Sequence, residues 1–169
     1  MTFYEELQAA VRGVRRRYDA LDRGQIAPIR RCRTADDVAL EAAYWRVGGP
    51  VAHEQSYLPH VVLLFPTAPH AGPSARAFSL GRFLRKQLGD ENGAALRFRR
   101  VLACRDRDEL SHRLRSVLRL ACADRSAVDW GVVGVDVLWF FGERDLVRRR
   151  WAQDFYAPLA SRTPDITHV

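Results

Sequence analysis

Apolar residues return every third or fourth position along most of this chain, a period that admits helices and little else. Phe3, Leu7, Val11, Val14, Tyr18 and Leu21 predict one amphipathic helix ending near Gly24, its other faces carrying Arg12, Arg15, Arg16 and Arg17. A basic connector is expected from Ala27 to Arg33, interrupted by Pro28. Thr34 followed by Asp36 and Asp37 reads as a helix start, with Val38, Ala42 and Trp45 on one face. Gly48, Gly49 and Pro50 then break the chain. Tyr57, Leu58, Val61, Val62 and Phe65 fit a helix, although Val61 to Phe65 alone suits a short buried strand. With three prolines, Pro66 to Ala77 is expected to be a mobile surface loop. Further stripes follow at Leu80 to Leu88, Ala94 to Leu102, Leu110 to Ala121 and Val147 to Phe155. The valines of Val128 to Phe141 leave helix and strand both open there. No repeat or hairpin signal interrupts this pattern, so the fold class is all-α.

A chain of 169 residues, 47% of them hydrophobic, can bury a sizeable core in one domain, or in one domain of two lobes. No run of 18 apolar residues crosses a membrane, and the start of the chain lacks a secretory pattern, so a cytoplasmic protein is expected. Cys32, Cys104 and Cys122 show no Cys-x-x-Cys spacing and read as buried or idle thiols.

Charge narrows the function. Of 26 arginines, eight lie between Arg12 and Arg33 against Asp19 and Asp22, a balance of +6. Eight more lie between Arg97 and Arg119 against Asp106, Asp108 and Glu109, a balance of +5. The chain as a whole carries +7, so the remainder sums to 7 − 6 − 5 = −4. The near-absence of lysine explains the residue type but not its placement. Two basic blocks suit a polyanion, and nucleic acid is the usual one; a solvated or protein-facing basic surface is the other reading of the charge alone. Arg115 and Arg119, four apart, share the helix face opposite the apolar stripe, with Arg113 flanking it. Arg97 and Arg100 are three apart, with Arg99 across from them. These side chains are expected to point outward, where a planar guanidinium fork grips phosphate.

No chemistry is apparent. His53, His60, His70, His112 and His168 lack metal-ligand spacing, and no nucleophile elbow, phosphate loop or carboxylate pair is present. Ser79-Leu80-Gly81-Arg82 is read as a helix start. No catalytic residue, metal or cofactor is expected. Trp130, Trp139, Trp151, Phe155 and Tyr156 are read as core or subunit interface before base-stacking platforms.

Four stretches, in order over most of the chain, carry a family resemblance. They are Leu21-Asp22-x-Gly24-x-x-Ala27-x-Ile29-Arg30-Arg31; Ser79 to Arg82; Asp106-Arg107 with Leu114-Arg115; and Val128-Asp129-Trp130 through Leu138-Trp139 to Trp151–Tyr156. On these the chain resembles CasB, the small subunit of the type I-E CRISPR complex Cascade; the likeness thins over 48–77. The resemblance implies a two-lobed helical bundle, divided here as 1–90 and 91–169, and makes Val128 to Phe141 a helix. It implies no catalysis and a role in stabilising the R-loop, where target DNA pairs with crRNA and the other strand is displaced. The implied partners are the backbone and large Cascade subunits, a second copy of the chain, the crRNA–target heteroduplex and the displaced single strand. By resemblance Arg31, Arg107 and Arg115 align with basic family positions. Arg30, Arg82, Arg97, Arg99, Arg100, Arg119 and Arg144 join them as expected nucleic-acid contacts by placement. The alternative is a free-standing helical DNA-binding regulator, with Asp108 to Phe141 as its helix-turn-helix-like unit.

Overall fold

Local sequence signals set the helix starts. The computed structural model describes residues 1–73, 77–89 and 92–157. The first helix, α1, spans Phe3–Asp19 behind a capping box in which Thr2 accepts from the Glu5 amide and Glu5 reaches back. It buries Leu7, Val11, Val14 and Tyr18 as the stripe predicts. An Asp22–Gln25 capping box then opens α2, Arg23–Arg31. The connector expected over 27–33 is thus largely helix. Pro28 removes one backbone donor from a short helix that Ile26 and Ile29 hold down by burial.

Thr34 and Asp37 form a third capping box for α3, Ala35–Leu40. That helix stops sooner than expected: Glu41 is extended and α4, Ala42–Gly48, restarts after it. The restart turns Tyr44 and Val47 inward and leaves Trp45 45% exposed, so Val38, Ala42 and Trp45 do not share a buried face. Then come α5, Pro50–Glu54, and α6, Leu58–Leu64, which runs into a 3-10 turn over Phe65–Thr67. Every residue of α6 except His60 is buried. The helical reading of this segment therefore holds over the strand.

The segment expected as a mobile surface loop is partly internal. Thr67 and Ala68 are buried, Val128 donates to the Pro69 carbonyl at 3.0 Å, and Ala71 donates to the Val128 carbonyl at 2.9 Å. Trp130 Nε1 donates to the Ala68 carbonyl at 3.0 Å. Proline content suggested solvent, but the backbone here is paired and capped from residues sixty positions away. Residues 74–76 of that segment lie outside the described residues.

The second half is read closely from its stripes: α7 at Leu80–Leu88, α8 at Asn92–Leu102, α9 at Arg107–Ala121, α10 at Trp130–Trp139 and α11 at Leu146–Tyr156. The segment left open at Val128 to Phe141 is helical from Trp130. The all-α class holds: among the described residues the only β pairing is one isolated bridge, His70 to Val128. A single apolar cluster draws on all eleven α-helices, with α6 at its centre against α3, α9 and α10.

Two long-range helix pairs frame the molecule. The first, α1 along α10, depends on Gly134, where an added Cβ would sit 2.6 Å from Val11 Cγ1. The second, α7 along α11, depends on Gly81, whose Cβ would collide with the Trp151 carbonyl. Polar ties reinforce both. Buried Asp136 accepts from Tyr4 Oη at 2.6 Å and Trp151 Nε1 at 2.7 Å, and Arg150 pairs with it. Burial first, then the neighbouring Asp136, pushes the Tyr4 hydroxyl up to about 12. Ser79, the N-cap of α7, donates to Asp154 of α11 at 2.6 Å, and Arg82 pairs with the same carboxylate at 3.4 Å. Ser79 to Arg82 is therefore a helix start and a packing device.

Candidate nucleic-acid interface

Burial and hydrogen-bond partners sort the arginines into two kinds. In α1 most are held by the fold. Arg15 is 6% exposed, donates to the Phe65 and Ala68 carbonyls at 2.8 and 3.0 Å, and pairs with Asp19 at 2.8 Å. The rings of Tyr18, Phe65 and Trp130 surround it at 5.1–5.5 Å. Arg12 forks onto buried Asp129 at 2.9 and 2.8 Å, and Arg17 closes the end of α4 by donating to Val47 and Gly48 carbonyls. The expectation of outward faces is corrected for Arg15, which is buried, and for half-buried Arg12; Arg17 is exposed but tied, and of the four arginines in α1 only Arg16 is exposed and untied among the described residues.

The ten expected contact residues divide the same way. Arg115 is not free: it donates to the Cys32 carbonyl at 3.0 Å, and its Nε is buried without a partner. Burial and the charge of Arg119 lower its pKa. That bond brings the two basic windows of the sequence together, joining the middle of α9 to the chain just after Arg30 and Arg31 of α2. Arg31 and Arg119 are exposed there. Arg107 is held more firmly. It donates to the Val137 and Leu138 carbonyls at 3.2 and 3.1 Å, and its guanidinium lies 3.6 Å from the Tyr57 ring centroid. Removing Arg31, Arg107 and Arg115 together would be expected, from outward-pointing side chains, to leave stability unchanged; these bonds reverse that expectation for Arg107 and Arg115.

Arg97, Arg99 and Arg100 stand exposed on α8 with no ion pair among the described residues. That helix is held from below by Phe98, stacked on Phe155 of α11 at 4.1 Å. Arg82 is exposed but tied to Asp154. Exposed Arg144 sits at φ 59° in the 3-10 turn before α11. Of the acids in the second window, Glu109 pairs with Arg113 at 2.9 Å, and Asp108 lies 3.8 Å from His60.

The aromatic residues also split. Trp130, Trp151 and Phe155 are at most 1% exposed and belong to the core, whereas Trp139 and Tyr156 are about half exposed at 48% and 50%. Trp139 shares a shallow apolar hollow with Phe3 and Leu146, both 65% exposed.

Three residue types of a hydrolytic triad do meet at His60, Ser111 and Asp108, but the geometry is wrong for one. Ser111 Oγ and Asp108 Oδ1 both face the same ring nitrogen, Nδ1, at 2.9 and 3.8 Å, and Ser111 is 1% exposed. The cysteines are buried, and burial pushes the thiols of Cys104 and Cys122 up to about 11, away from thiolate chemistry. Among the described residues no group of three His, Cys, Asp or Glu side chains is placed to hold a metal, and no helix is long and apolar enough to cross a membrane.

These features define, over the described residues, an all-helical protein with exposed arginines on α8 that carry no ion pair. The chain belongs to the CRISPR-associated protein Cse2 family, whose model matches residues 20–156, and so bears out the resemblance drawn from its four stretches. Among solved structures it is similar to a chain of E. coli Cascade bound to a PAM-containing dsDNA target, at 24% identity and a TM-score of 0.67. The match covers 86% of this chain and 93% of that one, a likeness of fold. No curated protein matches the sequence.

Proposed function

We propose that this protein is the non-catalytic small subunit of a type I-E Cascade complex, acting in the cytoplasm in antiviral defence. The family match over residues 20–156 carries the reading, and the similar chain in E. coli Cascade supports it. In that role the exposed arginines stabilise the crRNA–target R-loop and track the displaced strand through its phosphates. Opening a duplex against a guide is near energetic balance, so backbone contacts to the open state tip it. Arg97, Arg99 and Arg100 on α8, and Arg31 and Arg119 where the two basic windows meet, are the side chains free to do so, with Arg30 held beside Tyr18. The exposed group of Phe3, Trp139 and Leu146 supports docking on protein partners, either other Cascade subunits or a second copy. No cofactor enters this reading.

Reconstitution tests it. Cascade assembled with Arg97, Arg99, Arg100 and Arg119 changed to Ala should recognise the target-flanking motif normally yet hold the open state for a shorter time. An unchanged lifetime would remove these arginines from the interface. Tight binding of the isolated protein to one preferred duplex sequence would replace the reading with that of a free-standing regulator.

A further inference from the structure

A cleft of about 660 Å³ lies between α1, α2 and the turn joining α9 to α10. Four guanidinium groups line it, those of Arg15, Arg23, Arg30 and Arg125, against one carboxylate, Asp19, a formal balance of 4 − 1 = +3. Asp19 is already committed to Arg15 Nε at 2.8 Å. Apolar Leu21, Ile26, Phe65 and Pro66 are interleaved with these groups, Ile26 between Arg23 and Arg30 on α2 and the Phe65 ring 5.1 Å from Arg15.

Tyr18 lines the cleft at 2% exposure, and its buried hydroxyl has Arg30 beside it as a donor but, among the described residues, no acceptor for its own proton. A buried hydroxyl lacking an acceptor is uncommon and unfavourable, so it calls for an oxygen that the protein does not supply. Burial raises its pKa, while Arg30 and Arg15 pull the other way, and the hydroxyl stays a neutral donor. Arg125 adds a second irregularity. Its backbone lies at φ 66°, a left-handed conformation that arginine rarely adopts, fixed by its amide donating to the Cys122 carbonyl at 2.9 Å.

We propose that this cleft is a pocket for a single nucleotide. The phosphate lies among Arg23, Arg30 and Arg125, within reach of the Tyr18 hydroxyl once Arg30 turns toward the ligand. The base lies against Ile26, Phe65 and Pro66. A bare phosphate would leave the apolar residues of this lining uncovered, whereas a nucleotide matches the guanidinium groups, the apolar residues and the volume. The same chemistry is presented by a free nucleoside monophosphate and by the 5′-phosphorylated end of a single strand. The pocket belongs to the isolated chain and does not rest on assembly into Cascade.

Calorimetric titration of the full-length protein with AMP, inorganic phosphate and adenosine, at one ionic strength, tests the pocket. AMP should bind about ten-fold tighter than either part alone. Arg125→Gly should weaken AMP about ten-fold, the scale of one charge-assisted contact. It should melt no lower than wild type, because glycine accepts the left-handed backbone. Tyr18→Phe should weaken AMP severalfold, and Arg46→Gln with Arg149→Gln, which removes two charges elsewhere against the one lost in Arg125→Gly, should not. AMP binding no tighter than phosphate, an unaltered Arg125→Gly, or an equal loss in the Arg46/Arg149 variant would each overturn the proposal. With the pocket established, 5′-phosphorylated against unphosphorylated hexathymidylate names the source. A stronger response to the phosphorylated strand than to AMP assigns the strand end, and the reverse assigns the free nucleotide.

Discussion

Helices α1 and α8 are both arginine-rich and amphipathic, yet their arginines have opposite fates. In α1, Arg12, Arg15 and Arg17 are bound to Asp129, to Phe65 and Ala68 carbonyls, and to the end of α4. In α8, Arg97, Arg99 and Arg100 face solvent. Residue type does not distinguish them; what lies opposite does. α1 is enclosed by α10, α4 and the 3-10 turn after α6, which present buried carboxylate and carbonyl oxygens. An arginine is a structural residue where a fold ends helices against it, and a recruiting residue where nothing faces it.

The largest break in that comparison should come from Arg15→Met. It keeps the apolar volume but strands two carbonyls beneath three aromatic rings, a loss of about 3 kcal/mol in urea unfolding. Unfolding at the wild-type urea midpoint would place Arg15 with the α8 arginines instead. Arg107→Ala should lose about 1–2 kcal/mol, since it gives up two carbonyl bonds and its place over Tyr57.

A smaller effect concerns pH. Burial lowers the His60 pKa below its ordinary 6.5, with Asp108 opposing, so the folded protein prefers the neutral ring. Between the lowered folded value and 6.5 the unfolded chain binds more protons, so stability should fall as pH drops through that window. His60→Gln should flatten this part of the stability–pH curve; an identical slope would assign the protons elsewhere. The smallest stability effect belongs to α8. Changing Arg97, Arg99 and Arg100 to Ala should leave the melting temperature within about 2 °C. It should nonetheless lower the salt slope of single-strand binding by just under one unit for each phosphate that these side chains neutralise in the wild type. A melting loss matching that of Arg15→Met would erase the distinction between the two helices.

The helices themselves were legible because burial in an all-α fold writes its period directly into the sequence. Thr34 with Asp37, and Gly89 closing α7, are local signals of that kind. Arg15 also left a trace, lying four residues after Val11 and three before Tyr18, within the buried stripe. Arg107 and Arg115 left none, since their acceptors are backbone carbonyls 30, 31 and 83 residues away. Any residue type supplies a carbonyl, so no pattern of side chains records the pairing. The helix through Pro28 was hidden for another reason: its start signal, Asp22 with Gln25, was overshadowed by the proline. The cleft at Tyr18 depends on Arg125, whose unusual backbone no composition announces.

The pairing of α1 with α10 has a consequence for how the chain is made. Asp19 ends α1 and Trp130 begins α10, so 130 − 19 = 111 positions of growth separate the two partners. At a ribosomal pace of about 5–20 residues per second, the interval is roughly six to twenty seconds. Throughout it Val11 and Val14, wholly covered in the finished protein, have no α10 to cover them. A nascent chain halted before Trp130 should therefore be a chaperone client, and one that has passed Trp139 should be released.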